Sequence, residues 1–272
     1  MATIGIFDSG VGGLSVFKEI YKLLPGDRYI YFADNAYCPY GEKDQEQILD
    51  RAREITDYLL FKGADIIVVA CNTATAAAIS TLREKYGTAD ERIKMVSQGR
   101  LDHVKFIGME PAVKPAALGT KTGVIGVLAT AGTLAGSKYL NTKGQFEDNA
   151  RIEEHVGEGF VELVESGETS GPHAEEVVRA SLQPLLDKGA DRIVLGCTHY
   201  PFLKDVIQKL AGPNVEVIDP APAVARQLVK VMDEEGIKKA TPQSGSPIDI
   251  SLYASGAKDV LSATLDRLSK NL

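Results

Sequence analysis

Short runs of mostly apolar residues alternate along the chain with longer segments in which apolar residues recur every three or four positions. Such runs predict strands that are buried on both faces of a parallel sheet. The clearest of these runs are residues 3–7, 28–32, 66–70, 123–128 and 215–218. Segment 44–62, with Ile48 and Leu59 on one face, predicts an amphipathic helix that covers such a sheet. The alternation of the two patterns predicts an α/β fold with mainly parallel sheets.

One stretch of this pattern occurs twice. Residues 63–76 read G-A-D-I-I-V-V-A-C-N-T-A-T-A, and residues 189–199 read G-A-D-R-I-V-L-G-C-T-H. In both copies a cysteine follows the aspartate at the same distance, at the carboxyl end of a predicted strand, where open α/β sheets bind ligands. A second pair of similar segments, 4–10 and 125–131, occurs in the same order. These repeats predict two pseudo-symmetric α/β domains that face each other across a cleft, with the active site between them.

The closing strand and helix of the chain have no partner in its middle part. We therefore expect residues 1–96 and 210–272 to form the first domain and residues 97–209 to be inserted as the second. The polar segment 241–247 is rich in Pro, Gly and Ser, which predicts a mobile loop.

Composition narrows the class of protein. A length of 272 residues suits two units of about 100–150 residues each. The net charge of −7 argues against nucleic acid as a partner, because phosphate contacts need basic clusters. No apolar run approaches the roughly 20 residues that span a bilayer, so no membrane partner is expected. The three cysteines lack C-x-x-C spacing, which favours a reduced, cytoplasmic protein.

The first of the two repeated thiols lies at the start of a helix. Residues 75–86 have helical spacing, so Asn72 or Thr73 is expected to be the N-cap. Unpaired N–H groups at a helix start favour the anionic form of a thiol such as Cys71. The glycine-rich turn 8–13 lacks the G-x-G-x-x-G spacing of dinucleotide sites, and we expect it to hold a smaller anion.

Four interpretations fit the repeated cysteines Cys71 and Cys197. A metal site with Cys38 and His199 lacks the close ligand spacing that is usual for structural zinc, and a redox pair lacks C-x-x-C. A thiol nucleophile with His199 as its base is chemically sound, but it does not explain the repetition. Beside these three chemical interpretations, the two residues could simply be core cysteines in a duplicated ligand-binding fold.

The fourth interpretation uses the duplication. Inverting a carbon that bears an acidic proton needs a base on one face and an acid on the other, and the reverse direction exchanges these roles. Two thiols meet this requirement because their ordinary pKa of about 8.5 lies near neutrality. Asp8, at a neighbouring strand end, is expected to assist Cys71. His199 is expected to assist Cys197, and Glu165 to hold His199 in place.

With these residues assembled, the chain resembles the aspartate/glutamate racemase family, and within it the glutamate racemases. The matching blocks follow the order of that family over nearly the whole chain. They are D-S-G-V-G-G (8–13), P-Y-G (39–41), C-N-T-A-T-A (71–76), F-V-E-L-V-E (160–165) and G-C-T-H-Y-P (196–201). Cys38 lies at a position that varies in this family.

The resemblance implies an enzyme that interconverts L- and D-glutamate without a cofactor or metal and supplies D-glutamate for peptidoglycan, usually as a homodimer. Cys71 and Cys197 would be the acid and base, assisted by Asp8, His199 and Glu165. The residues implied to bind the substrate are Asp8, Ser9, Tyr40, Gly41, Asn72, Thr73, Thr130, Thr198 and His199. Racemisation of aspartate or a related amino acid, and a non-catalytic amino-acid-binding module, are the alternatives.

Overall fold

The structure, a computed structural model, describes residues 1–241, 247–270 and 272. The described strands form two sheets, and every strand pair within them is parallel. This confirms the predicted fold class of two α/β domains with parallel sheets. None of the helices in these ranges has the length and apolar character needed to cross a membrane.

The first sheet has five strands in the order β4-β3-β1-β2-β9. These strands are β1 (Thr3–Asp8), β2 (Arg28–Ala33), β3 (Ile66–Val69), β4 (Phe106–Ile107) and β9 (Ile250–Ala254). The second sheet has four strands in the order β6-β5-β7-β8. These are β5 (Val124–Ala129), β6 (Arg151–Val156), β7 (Arg192–Gly196) and β8 (Glu216–Ile218).

The two sheets share one topology. Read in the same direction, β4-β3-β1-β2 of the first sheet corresponds strand by strand to β8-β7-β5-β6 of the second. The repeated sequence segments contribute β1 and β5 as one equivalent pair and β3 and β7 as the other. The internal repeat of the sequence is therefore a repeat of structure, and β9 is an addition to the first sheet.

Helices cover both sheets, and their buried faces follow the predicted amphipathic pattern. The first domain has α1 (Leu14–Leu23), α2 (Gln45–Phe61), α3 (Asn72–Tyr86), α4 (Glu91–Val96), α11 (Ala221–Glu234) and α12 (Asp259–Ser269). The remaining helices are α5 (Val113–Gly119), α6 (Ala131–Leu134), α7 (Ser137–Phe146), α8 (Phe160–Glu165), α9 (Pro172–Asp187) and α10 (Lys204–Ala211). On β1, Ile4 and Ile6 pack into the cluster with α1, whereas Phe7 packs on the opposite face with α2 and α3. The first sheet is therefore buried on both sides, as its uninterrupted apolar strands require.

The strand pairing corrects the predicted domain boundaries. Strand β4 pairs with β3 in the first sheet, although residues 97–209 were assigned to the second domain. Strand β8 pairs with β7 in the second sheet, although residues 210–272 were assigned to the first. Both predicted boundaries separate the fourth strand of a repeat from its sheet. The strand at 215–218 is predicted from its apolar run, but so short a strand carries no pattern that shows which sheet it joins.

The chain returns to the first domain after β8, because α11 packs against α1 and β9 pairs with β2. The predicted mobile loop at 241–247 lies between these two elements, and its residues 242–246 are outside the described residues.

Candidate active site

The two repeated thiols lie at equivalent strand ends. Cys71 follows β3 by one intervening residue, Ala70, and Cys197 directly follows β7. Their exposed fractions are only 5% and 7%. Asp8, the last residue of β1, lies at the same edge of the first sheet as Cys71, and it also contacts Thr198, the residue after Cys197 in the second sheet. The structure thus brings the thiols to one shared location between the domains.

Cys71 is itself the N-cap of α3, which corrects the expectation that Asn72 or Thr73 would hold that position. The amide N–H of Thr75 donates to the carbonyl oxygen of Cys71 at 2.9 Å, so the helix begins directly after the thiol. The Sγ atom of Cys71 accepts from the N–H of Ala74 at 3.5 Å. The unpaired N–H groups of a helix start therefore point at this sulfur.

Asp8 connects the two thiol loops. Its carboxylate is fully buried, accepts from the N–H of Gly13 at 2.8 Å and lies 3.4 Å from the hydroxyl of Thr198, the residue after Cys197. Burial raises the pKa of Asp8, although the charge of His199 and the N–H of Gly13 oppose the shift. Asp8 therefore contacts residues of both domains: Gly13 in the first and Thr198 in the second.

The pKa of the Cys71 thiol is raised well above its ordinary value, chiefly by burial and then by the charge of Asp8. A charge on Cys197 raises it further, which means that the two sulfurs interact electrostatically across the cleft. Ser9 lies between Asp8 and Cys71, with its hydroxyl 3.5 Å from the carboxylate and 3.9 Å from the sulfur. A negative charge on Cys197 therefore disfavours the thiolate form of Cys71.

His199 and Glu165 form a pair beside the second thiol. His199 Nδ1 lies 3.7 Å from Cys197 Sγ, and its Nε2 lies 2.7 Å from Glu165 Oε1. Burial lowers the pKa of His199, but hydrogen bonds to Cys197, Cys38 and Glu165 outweigh it and raise that pKa well above the ordinary value. Burial raises the pKa of Glu165, but His199 outweighs it and lowers that pKa. These hydrogen bonds thus favour the protonated form of the imidazole beside Cys197.

The glycine-rich turn after β1 reaches this pair from the first domain. The N–H of Val11 donates to Glu165 Oε1 at 2.8 Å. A Cβ atom on Gly12 would lie 2.5 Å from His199 Nδ1, and one on Gly10 would lie 2.0 Å from Glu165 Oε1. These two positions need glycine because the turn packs directly against side chains of the other domain.

The loop with Tyr40 and Gly41 forms another wall of the cleft. The Tyr40 hydroxyl donates to Asp34 at 2.5 Å, so its proton is engaged with that carboxylate. Arg51 donates to both carboxylate oxygens of Asp34, at 2.7 and 2.9 Å, and holds this loop on α2. Gly41 lies against Thr130 of the second domain, with 3.0 Å between the position of an added Cβ and the Thr130 Cβ.

Three hydroxyl groups meet on the same side of the cleft. Thr73 lies 2.9 Å from Thr130 and 3.3 Å from Thr133, and the latter two are 3.0 Å apart. Thr133 was missing from the predicted site, although its position one turn after Thr130 at the start of α6 gave a signal. Beside them, the buried side-chain amide of Asn72 has no hydrogen-bond partner among the described residues, on either its nitrogen or its oxygen. Buried polar atoms of this kind are costly unless a ligand satisfies them.

These features define an enzyme class. Two α/β domains of one topology enclose a pair of buried thiols, each with its own ionisable neighbour. The sequence profile of the Asp/Glu/Hydantoin racemase family matches residues 4–228, so the chain belongs to that family.

Relatives within this family are glutamate racemases. The one from Ectopseudomonas mendocina is 44% identical over 241 residues, which are 89% of this chain and 86% of that protein. Escherichia coli glutamate racemase, solved in complex with L-glutamate and the activator UDP-MurNAc-ala, has a TM-score of 0.80 at 31% identity and covers 98% of this chain and 95% of its own. The Francisella tularensis enzyme in complex with D-glutamate has a TM-score of 0.75 at 26% identity, covering 99% and 94%.

Proposed function

We propose that this enzyme interconverts L- and D-glutamate without a cofactor, using Cys71 and Cys197 as alternating acid and base. The observation that carries the proposal is the pair of buried thiols at equivalent strand ends, coupled so that charge on one disfavours charge on the other. The similar enzymes from Escherichia coli and Francisella tularensis, solved with the two glutamate enantiomers, support glutamate as the substrate.

The proton assignments follow from the neighbours of each thiol. Cys71 holds its proton in the resting state, because burial and Asp8 raise its pKa. Cys197 is assigned as the base that acts opposite Cys71, because His199 Nδ1 lies 3.7 Å from its sulfur and can take part in its proton transfer. In one direction Cys197 removes the α-proton and Cys71 donates a proton to the opposite face of the carbanion. In the other direction Cys71 is the thiolate and Cys197 the thiol.

The supporting residues divide into two groups. Asp8 assists Cys71, whereas His199, held by Glu165, assists Cys197. The groups that bind the carboxylates and ammonium of the substrate are Asp8, Ser9, Tyr40, Gly41, Asn72, Thr73, Thr130, Thr198 and His199, to which Thr133 is added. The unsatisfied amide of Asn72 supports this role, because a substrate would complete its hydrogen bonds. Tyr40 contributes through its backbone, since its hydroxyl is bound to Asp34.

The product fits a role in supplying D-glutamate for peptidoglycan in the cytoplasm, and we propose that the enzyme acts there as a homodimer. Light scattering coupled to size-exclusion chromatography gives the mass in solution, and a mass equal to one chain contradicts the dimer.

Solvent exchange tests the mechanism directly. With L-glutamate in deuterated water, and with a chelator but no cofactor, deuterium is expected at Cα of both enantiomers. Cys71→Ala and Cys197→Ala are each expected to abolish racemisation, while Cys38→Ala, which removes the third thiol, keeps it. Turnover near the wild-type rate in either of the first two variants contradicts the two-thiol mechanism. A faster reaction with aspartate than with glutamate contradicts the proposed substrate.

A further inference from the structure

The third cysteine of the chain lies beside the His199–Glu165 pair. Cys38 Sγ is 4.0 Å from Glu165 Oε1, and one ligand atom from each of the three side chains lies within 4.8 Å of the others. His199 is 1% exposed and the other two residues are partly buried. The proposed proton transfers use His199 and Glu165 but have no role for Cys38.

The three side chains provide one sulfur, one imidazole nitrogen and one carboxylate oxygen. Zn²⁺ binds these donors at about 2.0–2.3 Å, which places the donor atoms of a tetrahedral site roughly 3.5 Å apart. The contact from Cys38 to Glu165 must shorten slightly from 4.0 Å, and the pair of His199 and Glu165 must open from 2.7 Å. Each of these two interatomic distances changes by less than the length of one covalent bond. Gly10 faces Cys38 and Glu165 without a side chain that would fill the space between them.

We propose that a thiophilic divalent cation such as Zn²⁺ binds to Cys38 Sγ, Glu165 Oε1 and His199 Nε2, with the fourth position left to water. Binding releases two protons: the thiol proton of Cys38 and the proton that His199 and Glu165 share. The cation forms three bonds to the protein in place of the hydrogen bond between His199 and Glu165 and the weaker contacts of the Cys38 thiol with these two side chains, and Glu165 Oε1 has the N–H of Val11 as a further partner.

We infer that such a cation inhibits the enzyme. The inhibition rests on the proposed function, whereas the binding of the cation does not depend on it. With Nε2 bound to the metal, the other ring nitrogen keeps its proton and remains 3.7 Å from Cys197 Sγ. The cation separates Nε2 from Glu165 Oε1, so Glu165 no longer holds the ring that lies beside Cys197 by a hydrogen bond. Racemisation therefore slows in both directions.

Cobalt titration tests the binding without any use of activity. Added to the reduced, chelator-free protein, Co²⁺ is expected to give a thiolate-to-cobalt charge-transfer band in the near ultraviolet, saturating at one cation per chain and removed by Zn²⁺. Cys38→Ala is expected to abolish the band and weaken Zn²⁺ binding by about tenfold or more, since even an outer-shell partner contributes that much. Cys197→Ala is expected to keep the band. A band that survives in Cys38→Ala but disappears in Cys197→Ala overturns the proposed site.

The inhibition is measured in parallel on the same variants. Micromolar Zn²⁺ is expected to slow wild-type racemisation, and a chelator to restore it. Cys38→Ala, compared with its own rate in the absence of metal, is expected to need about tenfold more Zn²⁺ for the same fractional inhibition. Equal sensitivity of both proteins overturns the inhibition. If a cobalt band appears in a protein that does not racemise glutamate, the proposed function fails while the metal site stands. Cys38→Ser replaces Cys38→Ala if the latter is unstable.

Discussion

Replacing Glu165 by Gln changes the charge beside the second thiol and little else. The oxygen that accepts from the N–H of Val11 is kept, whereas the negative charge 2.7 Å from His199 Nε2 is lost. A hydrogen bond to a charged group contributes about 1.5–3 kcal/mol. The Glu165 side chain is 23% exposed, so solvent screens this contribution only in part. If the whole contribution is lost from the transition state, kcat/KM falls by about 10- to 150-fold.

The expected decrease in kcat/KM can be checked by measuring the reaction in both directions. Enantiomers have equal free energies in water, so kcat/KM must decrease by the same factor from L to D and from D to L, although kcat and KM need not change equally. The upper limb of the pH profile is expected to move to lower pH. The reason is that His199, whose pKa Glu165 helps to raise, loses its proton earlier in the variant.

The free energy of unfolding is also expected to depend on pH through the charges of Glu165 and His199. The lowered pKa of Glu165 contributes stability above its ordinary value of 4.5, and this is lost as pH falls through the lowered pKa. The raised pKa of His199 contributes stability below its ordinary value of 6.5, and this is lost as pH rises through the raised pKa. The wild type therefore loses stability as pH rises above 6.5, and Glu165→Gln loses less over that range.

Circular dichroism follows racemisation in both directions, and urea unfolding at several pH values gives the free energy of unfolding. NMR titration of the imidazoles gives the pKa of His199. The chain has four histidines, so the signal of His199 can be assigned by substitution. Glu162→Gln on the exposed face of α8 is the matched control and is expected to behave as wild type. An unchanged kcat/KM together with an unchanged pKa of His199 in Glu165→Gln would refute the role of the pair.

Two further substitutions test the framework of the site. Arg51→Ala leaves the fully buried carboxylate of Asp34 without its cation and is expected to lower the free energy of unfolding by about 3–5 kcal/mol and to raise KM. Urea unfolding and steady-state kinetics measure both effects, and a loss below about 1 kcal/mol contradicts the structural role. Gly12→Ala places a methyl group 2.5 Å from His199 Nδ1 and is expected to reduce kcat by about 100-fold, since displacing a catalytic group by about 1 Å has effects of that size. Gly144→Ala, where the added atom meets nothing within 4 Å, is the control, and equal rates in the two alanine variants contradict the packing argument.

The repeated strand ends were predictable from sequence because both physical signals there are strong. An apolar run that fills both faces of a sheet identifies β3 and β7, and the carboxyl ends of such strands are where ligands bind. The neighbours of each thiol followed from the same logic, since Asp8 ends β1 and His199 follows Cys197 by two residues.

Other features depend on contacts that no local pattern records. The approach of Cys38 to Glu165 is set by the conformation of the loop after β2, and the two residues are far apart in the chain. The hydroxyl of Tyr40 is engaged with Asp34 because Arg51, on the next helix, fixes that carboxylate. Strand β4 is two residues long, too short for any periodicity, and only its pairing with β3 identifies it.

Hydrogen bonds that join the two domains include side chains that we propose to bind the substrate. Asp8 contacts Thr198, Thr73 contacts Thr130, and the hydroxyl of Ser15 donates to the carbonyl oxygen of Thr198 at 3.0 Å. If the proposed site binds an amino acid, we expect the ligand to replace these hydrogen bonds with its own and the two domains to move apart. Part of the binding free energy of either enantiomer is then used to separate the domains. The same interdomain hydrogen bonds would therefore affect both the entry of the substrate and the release of its enantiomer as the product.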